Sequence, residues 1–213
     1  MKLRFLVFCL ALALLNLAAR AQDNPSQVNP SNASTTGVNP GDVGLYVNPV
    51  GIHITNSKPD TGPFAFLGDN TTSRMFWGAT FGGYVNFFHA PKFDAGIDLR
   101  DTIVTGNNAN LNSFLVGGRI VAKPYADLFK PYLQVSVGAG SSKPPTSTVH
   151  ITRLEYGVYG GVDMTLAKHV DFRMVELGYG SVATVSSGNF SATNTFPSSR
   201  LFTVSAGLVF RVP

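Results

Sequence analysis

Hydrophobic and polar residues alternate along most of the chain from residue 43 onward. In the C-terminal stretch RLFTVSAGLVFRVP, apolar side chains occupy the even positions 202 to 212, and polar or small ones occupy most of the odd positions. A spacing of two predicts a β-strand whose two faces meet different surroundings. The pattern alone leaves open which face points into the fold and which points out of it.

Seven further stretches alternate in the same way, so the sequence predicts eight strands. In chain order the eight are VGLYVNPVGIHIT, SRMFWGATFGGYVNFF, KFDAGIDLRDTI, NSFLVGGRIVAK, PYLQVSVGAG, RLEYGVYGGVDMTL, HVDFRMVELGYGSV and RLFTVSAGLVFRVP. Pro49 in the first stretch cannot donate a ladder hydrogen bond, so this strand needs a bulge or a start after the proline. Glu176 in the seventh stretch falls on the apolar parity, which predicts a bulge or a register change near Val175.

The connections between the predicted strands alternate in length. Those after the second, fourth and sixth strands are short: HAPK, PYADLFK and AKH. Those after the first, third, fifth and seventh are longer or more polar: NSKPDTGPFAFLGDNTT, VTGNNAN, SSKPPTSTVH and ATVSSGNFSATNTFPSS. Short turns at one end and longer loops at the other are typical of outer membrane β-barrels. Greek-key sandwiches have no reason to alternate in this way.

Aromatic residues on the apolar parity fall into two groups. Phe87, Phe93, Phe172 and Phe210 lie near the short turns, and Trp77, Phe114, Tyr156 and Phe202 lie near the longer connections. Two aromatic belts are expected where an apolar barrel surface meets the two membrane interfaces. The belts therefore favour an apolar face that points out to lipid.

The opposite parity carries charges of both signs. Its charged members are Asp94, Asp98, Arg100, Arg119, Glu155, Asp163, Asp171, Arg173 and Arg211. An eight-stranded barrel is narrow enough for side chains to fill it, so these charges are expected to pair inside rather than to line an open pore. The sequence thus predicts an all-β protein: an eight-stranded antiparallel up-and-down transmembrane β-barrel after a cleaved signal peptide.

The N-terminal region precedes the alternating part. Residues 1–21, MKLRFLVFCLALALLNLAARA, predict a secretory signal peptide, because Lys2 and Arg4 precede an apolar run that closes on an A-x-A site. An uncleaved anchor is the alternative, although the apolar run is short for a membrane span. Residues 22–42 are rich in Asn, Pro and Ser and predict a flexible tether. Residues 43–213 are the predicted barrel.

Composition argues against a nucleic-acid partner and against disulfide chemistry. Without Lys2, Arg4 and Arg20, the 16 Lys and Arg fall to 13 cations against 12 anions, which gives no basis for binding nucleic acid. Cys9, the chain's one cysteine, lies in the predicted leader, so the mature chain has no disulfide chemistry.

Two segments resemble the bacterial outer membrane protein β-barrel domain family of small eight-stranded barrels. GGVDMTLAKHVDFRMVELGYG together with RLFTVSAGLVFRVP is similar to the C-terminal half of these barrels, and FGGYVNFFHAPKFDAGIDLR is similar to a hairpin of the first half. The resemblance covers roughly residues 43–213 and implies fold and location rather than an activity. The last strand of the family usually ends on an aromatic residue, whereas here Phe210 is followed by Arg211, Val212 and Pro213.

Motifs for catalysis, cofactors and metals are absent from the sequence. His53, His89, His150 and His169 do not occur in pairs at ligand spacing, so we predict no metal, cofactor or catalytic site. His150 near Ser141, Ser142 and Ser147 offers one alternative, a Ser-His pair that acts on lipid. Asp94, Asp98 and Glu155 offer another, a carboxylate site, although salt bridges inside the barrel explain them better.

The leading functional prediction is a non-enzymatic barrel of the bacterial outer membrane with a structural or surface-interaction role through its long extracellular loops. Its expected partners are outer membrane lipid and, during insertion, the barrel assembly machinery; an extracellular partner is not identified. The alternatives are a small porin-like channel and a secreted soluble barrel that binds a small apolar ligand. The soluble alternative predicts that Trp77, Phe81 and Leu208 point inward.

Overall fold

The computed structural model describes residues 35–39, 41–60, 65–123, 128–146, 148–183 and 198–212. The predicted signal peptide and the predicted tether up to residue 34 lie outside these residues. The described strands are β1 (Thr35–Thr36), β2 (Val43–Asp60), β3 (Thr71–His89), β4 (Phe93–Gly106), β5 (Ala109–Ala122), β6 (Phe129–Lys143), β7 (Ile151–Ala167), β8 (Val170–Ala183) and β9 (Ser198–Arg211). No helix in the described part of the chain is long and apolar enough to cross a membrane.

Strands β2 to β9 form one closed antiparallel sheet. Each strand pairs with its neighbours in sequence, and β2 also pairs with β9, so the sheet has eight strands in a ring. Following paired residues around the ring from Leu154 of β7 leads back to Met164 of the same strand, a stagger of 164 − 154 = 10 residues. Such a stagger requires strands tilted by about 35–45° from the barrel axis. The predicted all-β fold, an eight-stranded antiparallel up-and-down barrel, is confirmed.

Pro49 does not interrupt the first barrel strand, and the expected bulge or late start is wrong. β2 pairs continuously with β3 through Pro49, which lies opposite Ala79. On its other side, β2 pairs with β9 at Val47 and again at Val50 in an unchanged register. Residues 48 and 49 have no paired residue in β9, so the missing N–H of Pro49 breaks no hydrogen bond to that strand. No shift of register is needed.

The predicted irregularity in the seventh strand is confirmed. In β8 the register shifts against β7 between the partners of Val162 and Asp163, and against β9 between Arg173 and Glu176. Met174 and Val175 both lie on the outer surface as a result, while Arg173 and Glu176 are both buried. The bulge therefore turns Glu176 into the barrel, while Arg173 keeps the inward position that the alternation predicts.

One predicted long connection is a tight turn. Asn107 and Asn108 alone join β4 to β5, and both have positive φ, at 50° and 60°. Two left-handed residues in succession are the geometry of a type I′ hairpin turn, which Asn tolerates well. The strict alternation of short and long connections is therefore wrong at this position, because the turn lies within VTGNNAN and the flanking residues extend the strands.

The apolar parity forms the outer surface of the barrel. Trp77 is 64% exposed, Ile97 49%, Val135 59% and Leu208 38%, although all are large hydrophobic residues. Phe81, at 47%, points the same way, so the inward orientation that a soluble ligand-binding barrel predicts is wrong. Asp101 of β4 is a polar exception on this face, between Phe81 and Phe114 in the paired strands.

The barrel interior has an apolar layer at the end of the longer connections. Phe66 and Leu67 of the β2–β3 connection are completely buried, and the Phe66 ring stacks on Phe76 with 5.2 Å between centroids. They pack with inward residues of the strands, namely Val50, Ile52, Ile54, Val104, Ala109, Leu111, Val182 and Leu201. This layer fills the interior at that end.

Candidate functional site

An ionic cluster occupies the interior below the apolar layer. Arg100 of β4 donates two hydrogen bonds to Glu176 of β8, Nη1 to Oε1 at 2.8 Å and Nη2 to Oε2 at 2.6 Å. Glu176 also accepts from the Tyr132 hydroxyl at 2.6 Å and from Ser205 Oγ at 3.0 Å. A carboxylate with this many donors is held in one position, and the bidentate pair is the strongest form of such a contact.

Asp163 of β7 joins two further arginines to the cluster. Its Oδ1 accepts from Arg173 Nε at 2.8 Å, and its Oδ2 accepts from Arg119 Nη2 at 2.9 Å. Arg173 Nη1 also lies 3.2 Å from Glu176 Oε2, which links the two carboxylates. All five of these charged side chains are almost fully buried, so their mutual pairing is what makes the burial tolerable.

Tyrosine rings separate the guanidinium groups of the cluster. The Arg119 guanidinium lies 3.9 Å from the Tyr84 ring centroid and 4.3 Å from that of Tyr132. Arg100 lies 4.0 Å from the Tyr159 centroid in the same way. Such contacts attract the cation to the ring face, and the Tyr132 ring contacts a second guanidinium, that of Arg173, at 4.7 Å.

Every charged residue that the sequence predicts on the inner face lies there in the structure. Asp98, Arg100, Arg119, Glu155, Asp163, Asp171 and Arg173 are buried, and Asp94 and Arg211 lie partly exposed at the short-turn end. Sequence parity missed Glu176, whose inward position depends on the bulge.

The candidate carboxylate site is not supported by the contacts of its three members. Asp98 accepts hydrogen bonds from the Tyr46 hydroxyl at 2.9 Å and from Gln134 Nε2 at 2.7 Å. Glu155 accepts from Ser113 Oγ at 2.6 Å, while Asp94 lies at the rim of the barrel. The three carboxylates thus have separate surroundings and different partners.

The alternative Ser-His pair also lacks support. Ser142 is completely buried, whereas His150 is exposed in the β6–β7 connection. Ser141 lies near the upper end of β6, and Ser147 falls outside the described residues. The described residues also contain no group of three or more His, Cys, Asp and Glu side chains placed to hold a metal ion.

At the short-turn end, the residues before β2 are attached to the barrel. Thr35 and Thr36 of β1 pair with the end of β3, and Gly37 N donates to Phe87 O at 2.8 Å. Gly41 N donates to Val212 O at 2.9 Å. We call the described residues 35–39 and 41–42 the strap. The described end of the predicted tether therefore lies along the barrel rim.

His89 connects the strap to the barrel. Its Nε2 lies 3.1 Å from Asp42 Oδ2 and 3.0 Å from Gly37 O, and its Nδ1 lies 3.0 Å from Asp94 Oδ1. Burial raises the pKa of Asp42, against the opposing effects of the Asn39 backbone N–H and of His89. Through these contacts His89 links the strap to the hairpin formed by β3 and β4.

A polar cavity of about 210 Å³ opens at the same end, between the strap and the ionic cluster. Its walls include Asp42, Asp94, Arg119, Lys130, Asp171 and Arg211. Lys130 Nζ and Arg211 Nη2 both pair with Asp171, at 3.0 and 3.1 Å. The cavity opens into the barrel interior from the side of the short turns.

Comparisons with known proteins find likenesses among solved structures only. No protein-family model and no curated protein sequence matches the chain. Among solved structures, the chain is similar to the Neisserial surface protein NspA, with 17% identity over 78% of this chain and 96% of NspA and a TM-score of 0.48. It is also similar to the attachment invasion locus protein Ail of Yersinia pestis, with 8% identity over 81% of this chain and 100% of Ail and a TM-score of 0.48.

A third similar structure is the outer membrane protein OprG of Pseudomonas aeruginosa. It shares 10% identity over 82% of this chain and 97% of OprG, with a TM-score of 0.41. All three structures are small bacterial outer membrane β-barrels.

Proposed function

We propose that this protein is a non-enzymatic integral β-barrel of the bacterial outer membrane, with a structural or surface-interaction role. The observation that supports the proposal is the orientation of the barrel wall. Large apolar side chains such as Trp77, Val135 and Leu154 are exposed around a closed sheet, while the charges lie inside. Hydrocarbon tolerates only structures whose backbone groups are all paired, and a closed barrel meets that demand.

The contents of the barrel favour this role over a porin-like channel. The Arg100–Glu176 pair crosses the interior, and Phe66 and Leu67 fill it nearer the long connections. A channel needs a continuous path of water past these residues, and moving the paired charges apart would leave each of them uncompensated. We therefore infer that the protein does not conduct ions in its resting fold.

The surface-interaction role is assigned to the longer connections. Because β4 and β5 are joined by a two-residue turn, three connections at this end remain as candidate contact surfaces: those after β2, β6 and β8. Connections carry binding functions more often than the scaffold that holds them, because they vary without cost to the core. We place these connections outside the cell and the short turns on the periplasmic side.

Partitioning tests the membrane assignment directly. The protein should remain in the membrane fraction after washes with salt and with carbonate, and unboiled samples should migrate differently from boiled ones in detergent gels, because folded barrels resist detergent. Release of native protein by either wash would contradict the proposal.

A charge on the outer wall tests its orientation. Val135→Arg, on β6, places a cation where we expect hydrocarbon, and the cost near the bilayer midplane is about 2–4 kcal/mol. Urea unfolding in lipid vesicles measures it. Thr148→Arg, at an exposed position of the β6–β7 connection, is the control and should change stability by less than about 0.5 kcal/mol. Equal effects of the two variants would contradict the assigned orientation.

A further inference from the structure

The rim cavity has walls of opposite charge. Around the ring of strands, β5 to β9 contribute Arg119, Lys130 and Arg211 together with Asp163 and Asp171, whereas the strap and β4 contribute Asp42 and Asp94. Its volume of about 210 Å³ is enough for several water molecules or for one small organic molecule. The question is which chemistry fits both walls.

The cationic wall has more donors than its own aspartates satisfy. Arg119 donates to Asp163, an aspartate that also accepts from Arg173, and Lys130 and Arg211 share Asp171. Arg119 is 2% exposed, yet its Nε and Nη1 have no hydrogen-bond partner within the described residues. Lys130 and Arg211 are only partly buried and share one carboxylate, so this wall is suited to an additional acceptor.

The anionic wall has acceptor atoms to spare. The described contacts to Asp42, from Asn39 N and His89, fall on Oδ2, and those to Asp94, from His89 and Lys123, fall on Oδ1. Asn86 also lines the cavity, and its buried Oδ1 has no partner within the described residues. This side is therefore suited to a donor such as an ammonium group.

We propose that the rim cavity binds a small zwitterion of the α-amino-acid type, with its carboxylate against Arg119 and Lys130 and its ammonium group against Asp42 and Asp94. A simple anion would meet the carboxylates of the opposite wall, and a simple cation would meet the arginines. An apolar ligand would leave both walls unsatisfied. The opening faces the compartment on the side of the short turns, so the ligand would enter from there.

Titration with matched probes tests the ligand class. The folded protein in detergent micelles is titrated with L-alanine, with propionate, which lacks the ammonium group, and with ethylammonium, which lacks the carboxylate. Saturable changes in the backbone amide signals of Gly41, Val121 and Ala122, which line the cavity, are expected with L-alanine. Each single-charge probe should bind at least about tenfold more weakly, because one set of charged hydrogen bonds is missing.

Variants of the two walls locate the binding. Lys130→Gln and Asp94→Asn should each weaken L-alanine binding by about tenfold, while Lys92→Gln, in the exposed β3–β4 turn outside the cavity, should not. Heat-modifiable migration of each variant shows whether it remains folded. Non-saturable changes with L-alanine would mean that the cavity holds only water, equal binding of propionate would mean an anion site, and equal effects of all three variants would mean binding elsewhere; each outcome overturns the proposal.

Discussion

Among single residues, Glu176 has the largest share in organising the interior. It accepts hydrogen bonds from Arg100, Tyr132 and Ser205 and lies beside Arg173. A buried ion pair adds little net stability compared with an apolar pair of similar size, but removal of one partner leaves an uncompensated charge. Loss of the Glu176 carboxylate would therefore change stability by more than the small net amount that its ion pairs contribute.

Replacement of Glu176 should test this directly. Glu176→Gln keeps the shape of the side chain but leaves Arg100 and Arg173 without one of their carboxylates, and the expected loss of stability is about 3–5 kcal/mol. Urea unfolding followed by the fluorescence of Trp77 measures it. Lys168→Gln, in the exposed β7–β8 turn, is the control, with an expected change below about 0.5 kcal/mol. A loss below about 1 kcal/mol for Glu176→Gln would contradict the assigned role.

For single residues, the alternation along the sequence predicts which face of the barrel wall a side chain lies on. It does not predict which residues that side chain contacts. Asp163 and Arg173 were expected on the inner face because they alternate with apolar residues, and they are buried there. Their partners could not be predicted, because a pairing such as Arg100 with Glu176 joins positions 76 residues apart. It depends on the stagger of the barrel, which no local pattern encodes.

At the level of elements, β8 carries the clearest agreement between pattern and structure. A charged residue on the apolar parity would face lipid in a regular strand, so the strand must contain an extra residue to avoid that cost. Met174 and Val175 occupy the outer surface together, and Glu176 returns to the interior. The cost of placing Glu176 against lipid is the reason for predicting a bulge, and the bulge removes that cost.

Two single-residue deletions should separate the bulge from the rest of β8. Deletion of Val175 leaves a strictly alternating strand in which Arg173 and Glu176 both still point inward, so the barrel should still form. Deletion of Leu177 turns Gly178 and Val182 outward and Tyr179 inward, so folding should fail. Heat-modifiable migration reports both outcomes, and failure of both variants would contradict a local bulge.

The turn between β4 and β5 shows why composition does not predict the length of a connection. Polar residues in VTGNNAN suggested a loop, but Thr105 and Gly106 continue β4, and Ala109 begins β5. Only the backbone conformation distinguishes a tight Asn-Asn turn from a longer loop of the same composition.

Substitution of Asn108 tests the turn geometry. Ala disfavours the left-handed conformation that Asn108 adopts at φ 60°, so Asn108→Ala should cost about 1–2 kcal/mol in urea unfolding. Asn110→Ala, at an exposed position within β5, is the matched control and should cost less than about 0.5 kcal/mol. Equal costs at the two positions would argue against a type I′ turn.

For the whole molecule, the sequence was sufficient for the barrel and its orientation but not for how its ends are closed. Phe66 and Leu67 lie in a connection that the sequence predicts to be a long extracellular loop, although the run FAFL within it is apolar. Their burial needs inward-facing apolar residues of several strands. These residues form one continuous layer only when the strands are assembled. The strap was likewise missed, since its contacts are mostly backbone hydrogen bonds to β3 and residue 212.

Electrical measurements should reflect this closed interior. The folded protein in planar bilayers is expected to give no stable single-channel conductance, because the Phe66 layer and the Arg100–Glu176 pair block the interior in series. Protein of the same preparation that shows heat-modifiable migration is the control for correct folding. Reproducible single-channel steps from such protein would contradict the assignment and favour a pore.

The seam between β2 and β9 has a consequence for biogenesis. Val50 pairs with Ser205, so the ring is sealed by segments 205 − 50 = 155 residues apart in the chain. Contacts of such long range form late and slowly. Before the final strand is in place, β2 and β8 each present an open edge, which hydrocarbon does not accommodate. Entry into the bilayer and sealing of the cylinder must therefore be coupled, and a nascent chain that lacks β9 is expected to aggregate through those edges.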